Sequence, residues 1–158
     1  MQHIWKLGAR IIAVALLSPA AAHAANDVAL TSAVFVEKTV EAGGRKRIVL
    51  ERPAQVMPGD RLVFMLDYRN KGAAPASDFV VTNPLPGTVA YQFSPDPAAI
   101  VSIDGGRTWG TLARLKVREA DGAVRGARPE DVTHVRWTFA RAIPAGQGGK
   151  LSFRGVVR

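Results

Sequence analysis

The chain has 158 residues, of which 47% are hydrophobic and 22% charged, with 15 glycines, 10 prolines, no cysteine and a formal net charge of +8. Without cysteine no disulfide framework can support the fold, so stability must come from a core and from strand ladders. The basic excess fits a chain that tracks a polyanion, provided the charge is clustered.

Residues Met1–Ala24 read as a secretory signal. Lys6 and Arg10 form a positive n-region, Ile11–Leu17 a short apolar h-region, and Ala22-His23-Ala24 an A-x-A cleavage site. The apolar run is too short to span a bilayer core of about 30 Å as a helix, and no second such run follows. Cleavage after Ala24 leaves a single domain, Ala25–Arg158, expected outside the cytoplasm (periplasmic or extracellular) with no transmembrane span. Removing Lys6 and Arg10 from the 21 basic residues leaves 19 against 13 acidic, a net charge of +6.

Val28–Val40 reads as a long strand with a break near Thr31-Ser32. It forms a hairpin through Ala42-Gly43-Gly44 with a second strand, Arg47–Arg52. Arg45-Lys46-Arg47 is the one dense basic run, and it lies at this hairpin's tip. It is the candidate contact for an anionic envelope polymer, with a solvated turn as the alternative.

Pro58-Gly59-Asp60 is a turn, because proline presets φ and glycine accepts φ > 0. From Arg61 the residues alternate. Leu62, Phe64, Leu66 and Tyr68 share one face; Arg61, Asp67 and Arg69 share the other, which is the period of a strand with one buried side. A helix would scatter those apolar residues around its axis. Asn70–Ser77 is a loop and Phe79–Thr82 a short strand. Asn83-Pro84-Leu85-Pro86-Gly87 ends it, since proline cannot donate to a ladder, and Leu85 plugs the core edge.

Ile100–Ile103 is followed by Asp104-Gly105-Gly106, a hairpin signal, with Thr108-Trp109 opening the return and Leu112–Val117 extending it. Ala120–Glu130 reads as a loop. Val132–Phe139 alternates with Val135, Trp137 and Phe139 on one face. Pro144–Gly149 is a turn, and Leu151–Val157 closes the chain. About eight strands separated by turns, with no amphipathic helix, predict an all-β fold: an antiparallel Greek-key β-sandwich, with a closed barrel as the alternative.

Five blocks carry a resemblance: PGDRLVFMLDYRNKG at Pro58–Gly72, VVTNPLPGTVAY at Val80–Tyr91, SIDGGRTWG at Ser102–Gly110, THVRWTF at Thr133–Phe139 and IPAGQGGKLSFRGVV at Ile143–Val157. Their order resembles the bacterial extracytoplasmic conserved-repeat domain, the family called domain of unknown function eleven. The resemblance implies an Ig-like fold at the cell surface or in the periplasm, in modules with no assigned activity.

Ser102–Trp109 also resembles the Asp-box of sialidase-type propellers. Its physics is structural: Asp104 satisfies turn amides, Gly105 and Gly106 take φ > 0, and Trp109 packs beneath. A propeller needs several blades, and there is one box here. A cut after Ala22 instead would make His23 the mature N-terminus and a copper ligand beside His134. Nucleophilic catalysis needs a positioned base, and His134 is the only histidine after Ala24. Asp121, Glu130 and Asp131 read as solvated loop charges, and Trp109 and Trp137 as core anchors, with sugar stacking as the alternative. The expectation is therefore a non-enzymatic module for surface recognition or envelope assembly. Its partner would be a protein or envelope component, with no cofactor, metal or nucleic acid.

Overall fold

A computed structural model describes residues 27–158. The signal-peptide reading of Met1–Ala24, both cleavage points and His23 lie outside these described residues. Among the described residues there are ten strands: β1 (Val28–Ala42), β2 (Arg45–Glu51), β3 (Arg61–Asn70), β4 (Val80–Pro84), β5 (Val89–Phe93), β6 (Ile100–Ser102), β7 (Lys116–Arg118), β8 (Val124–Gly126), β9 (His134–Thr138) and β10 (Gly148–Val157). Every pairing between them is antiparallel. Five strands form one sheet in the order β2-β1-β3-β10-β5; three form a second, β4-β9-β6; β7 and β8 pair with each other. Among the described residues no helix is long and apolar enough to cross a membrane.

The register of the large sheet explains which residues are inside. Val34, Phe64 and Phe153 form one cross-strand row, and Ser32, Leu66 and Leu151 the next. Phe64 and Phe153 stack with centroids 4.5 Å apart and planes 3° from parallel. The second sheet answers with Val81, Val101, Val135 and Trp137, all buried in the same cluster. The Trp137 ring lies 6.1 Å from Phe153 and joins the two layers. Leu85 is buried in this cluster as well, the plug expected of it. Offset and tilted aromatic pairs of this kind add to what their area burial already contributes.

Several local expectations change. β1 runs unbroken through Thr31 and Ser32, because Val28–Val36 is laddered residue by residue to β3. β4 continues through Asn83 to Pro84, which the sheet tolerates because β4 is an edge and Pro84 owes no outward bond. The main chain of β10 begins at Gly148, ahead of the expected Leu151.

The largest differences lie between β6 and β9. Asp104-Gly105-Gly106 does not close a two-strand hairpin: the return reaches the sheet only as a bridge between Gly110 and Val101. Leu112–Arg114 is a 3-10 turn. The expected loop at Ala120–Glu130 contains β8 and leads into a second 3-10 turn at Pro129–Asp131. Arg125 holds this region together. Its Nη1 and Nη2 donate to the Asp131 carboxylate at 2.6 and 2.9 Å, and its Nε donates to Glu119. Asp131 is therefore not a free loop charge, and the Arg125 bonds hold its carboxyl below the usual carboxylate range. The bidentate geometry fixes orientation as well as distance.

Candidate recognition surface

The two faces of the five-stranded sheet differ in kind. The inner face is packing. On the outer face the register sets Ala29, Arg69 and Gly148 in one row, Thr31, Asp67 and Lys150 in the next, then Ala33, Met65 and Ser152, then Phe35, Val63 and Arg154. Arg154 reaches across to Glu37, its Nε donating at 2.7 Å, and its guanidinium lies 5.1 Å from the Phe93 ring. This pair covers one end of the outer face and leaves the other end open.

The open end is a depression of about 560 Å³ around Arg69. Its floor is glycine for a geometric reason. A Cβ on Gly148 would collide with the Tyr68 carbonyl oxygen and stand 3.0 Å from Arg69 Cα; one on Gly149 would stand 2.6 Å from the Tyr68 hydroxyl. The close approach of β10 to β3 thus demands glycine at both positions; Gly148, in the Arg69 row, leaves space beside Arg69, while Gly149 lies on the Tyr68 face. On its rim, Lys150 Nζ pairs with Asp67 Oδ1 at 2.6 Å. Arg69 and Lys71 are exposed and make no ion pair among the described residues.

Arg45, Lys46 and Arg47 lie at the opposite end of the molecule. The turn itself is Gly43-Gly44, with φ of 61° and 71°, the left-handed pair that a two-residue hairpin needs. The three cations open β2, all exposed, with Arg45 opposite Ala42. β2 is a sheet edge with Ile48 67% exposed, and its cations discourage strand addition by another chain. From Ala29 to Ala42 β1 covers about 40 Å at roughly 3.3 Å per residue. The two basic ends are therefore separate contacts for anything short.

The Asp104 carboxylate is satisfied within its own loop. Asp104 Oδ1 accepts from Ser102 Oγ at 2.8 Å, Arg107 N at 3.0 Å and Thr108 N at 2.9 Å; Oδ2 accepts from Thr108 Oγ1 at 2.7 Å. Gly105 and Gly106 have φ of 76° and 91°, a region that disfavours side chains. Trp109 Nε1 donates to the Gly106 carbonyl at 2.8 Å. The Arg136 guanidinium sits 3.6 Å from the Trp109 ring centroid, covering one indole face. Trp137 is 1% exposed, so its indole is an anchor of the core and has no face open for a sugar.

The Thr108 amide leads the bonds that hold the Asp104 carboxyl well below the usual carboxylate range. A lowered folded-state value means that its stabilisation is complete above the ordinary aspartate pKa of about 3.9 and fades as pH falls below it. Thermal midpoints measured from pH 6 down to about pH 2 should therefore fall less steeply for Asp104→Asn than for the parent. Parallel curves would show that the loop carboxylate has no such linkage.

His134 is half-buried, its Nδ1 3.0 Å from Thr133 Oγ1 and its ring edge-on to Trp109 at 6.3 Å. Among the described residues no three His, Cys, Asp or Glu side chains stand close enough to hold a metal. The other half of the proposed copper pair, His23, lies outside the described residues.

The sequence singled out the β2 cations and the Asp104 loop but not the depression. In the sequence alone Arg69 is only a wet position on β3. Its small neighbours Ala29 and Gly148 come from strands at the two ends of the chain, and only the register joins them. No protein-family model matches the chain, and no similar protein was found among curated proteins or solved structures.

Proposed function

We propose that this protein is an exported, non-enzymatic recognition module with an Ig-like Greek-key β-sandwich fold, and that its target is an anionic polymer of the cell envelope. The carrying observation is two groups among the exposed cations that make no ion pair. Lys38, Arg125, Lys150 and Arg154 are committed to ion pairs. Arg45, Lys46, Arg47, Arg69 and Lys71 are exposed and make none among the described residues. They stand at the two ends of one sheet, so an extended polyanion can meet both. The Greek-key reading is supported by the chain's repeated passage between sheets: β3, β5 and β10 belong to one, β4, β6 and β9 to the other. It agrees with the resemblance to the conserved-repeat domain.

Contacts made by exposed cations are screened, with a Debye length of about 10 Å at 0.1 M salt and about 3 Å at 1 M. Binding of the protein to a long polyuronate should therefore weaken steeply as salt rises between these limits. Affinity that is flat with salt, or no affinity at low salt, would overturn the reading.

A further inference from the structure

Resting on the reading above, we infer that the depression around Arg69 is a binding subsite for one anionic sugar unit. Arg69 and Lys71 would hold the carboxylate or phosphate, while the rim would hold the hydroxyls. The volume of about 560 Å³ suits a ligand of one or two sugar rings. A guanidinium presents a planar fork that matches either oxyanion, and an ammonium adds a compact second charge.

Arg69 is free to do this because of its row. Its cross-strand neighbours are Ala29 and Gly148, neither of which has a side chain that reaches a guanidinium. Lys71 follows two residues later, where its backbone N–H is tied to the Asp27 carbonyl at 2.8 Å. The rest of the lining can serve hydroxyls. Gln147 offers a donor and an acceptor, Thr31 an acceptor because its hydroxyl donates to the Asp67 carbonyl, and the Asp67–Lys150 pair offers both in one place. The mixture of two uncommitted cations with neutral and paired polar groups favours a charged sugar over a bare anion or an apolar peptide.

The site differs from the β2 cations in what it can bind. A trisaccharide is too short to span the roughly 40 Å between them at about 3.3 Å per strand residue. Calorimetric titration of the protein with trigalacturonate, glucose 1-phosphate and neutral maltotriose tests the assignment. Binding of at least one anionic sugar, and none of maltotriose, is expected. Which of the two binds tells a carboxylated from a phosphorylated source.

Arg69→Ala with Lys71→Ala should weaken that binding by about tenfold or more, as loss of charge-assisted bonds requires. Arg45→Ala, Lys46→Ala and Arg47→Ala together should leave it unchanged. All five are exposed, so unchanged thermal midpoints confirm that the folds remain intact. If the short ligands lose affinity with the β2 variant instead, the subsite is wrong and the polymer reading stands. Equal binding of maltotriose, or tighter binding of inorganic tripolyphosphate than of either sugar, also overturns the subsite. If neither short nor long anionic glycans bind, the subsite and the polymer reading fall together.

Discussion

Replacing Phe153 with alanine is expected to lower the stability of the fold by about 3–5 kcal/mol. Phe153 is 0% exposed at the middle of β10. It stacks on Phe64 within the sheet, and Tyr91 lies 6.4 Å away. Trp137 meets it from the opposing sheet. The loss has two parts: the ring's transfer free energy, and a cavity that the three surrounding aromatic residues cannot collapse into. Urea unfolding should show the midpoint falling while the slope stays the same. A loss below about 1 kcal/mol would mean that the two sheets do not share the packed interior described above.

The second large effect is expected at Asn70, the last residue of β3 and 1% exposed. Its Nδ2 donates to the carbonyls of Ala74 and Ile143, both at 2.8 Å, and its Oδ1 accepts from Gly72 N at 2.9 Å. Its own N–H donates to the Gln147 carbonyl and its carbonyl accepts from Gly146 N. One side chain thus clamps the loop after β3 to the turn before β10. Asn70→Leu keeps the branched shape but removes all three bonds: the Ala74 carbonyl and the Gly72 amide lose this partner, while the Ile143 carbonyl keeps the Ala76 amide at 2.9 Å. An unsatisfied buried group costs about 1–3 kcal/mol, so a total loss of about 2–4 kcal/mol is expected. Amide exchange at Gly72 should quicken in the variant. Because the clamped turn leads into Gly148 and Gly149, the depression should loosen too. A change within about 0.5 kcal/mol would show that the clamp is dispensable.

How much of this was legible in the chain depended on whether one residue's neighbours decide its place. β3 and β9 were readable because Leu62, Phe64, Leu66 and Tyr68 recur at every second residue with Arg61, Asp67 and Arg69 on the other face, and Val135 and Trp137 alternate with His134, Arg136 and Thr138. A strand with one dry face has no other way to arrange them. The β1–β2 hairpin was readable from Gly43-Gly44. The pair Gly105-Gly106 was misread by the same logic. Both glycines do take φ > 0, but the loop closes on the Asp104 carboxylate rather than on a ladder, and a dipeptide signal cannot tell these apart. β8 was missed, and β7 was covered only by the end of the expected Leu112–Val117 return, because three-residue strands carry too few alternations; Arg125 with Asp131 holds them instead. The depression was illegible for a different reason. It depends on the register that sets Arg69 between Ala29 and Gly148, and register belongs to the sheet rather than to any one strand.

On the proposed reading, the inner face of the large sheet only packs while its outer face recognises an anionic glycan. The most direct measurement is amide chemical-shift mapping of the isotopically labelled protein, titrated with trigalacturonate at low salt. Shifts should centre on Thr31, Arg69, Lys71 and Gly148, while Phe153 and Trp137 stay still. Shifts centred on the Asp104–Trp109 loop or on His134 would contradict it.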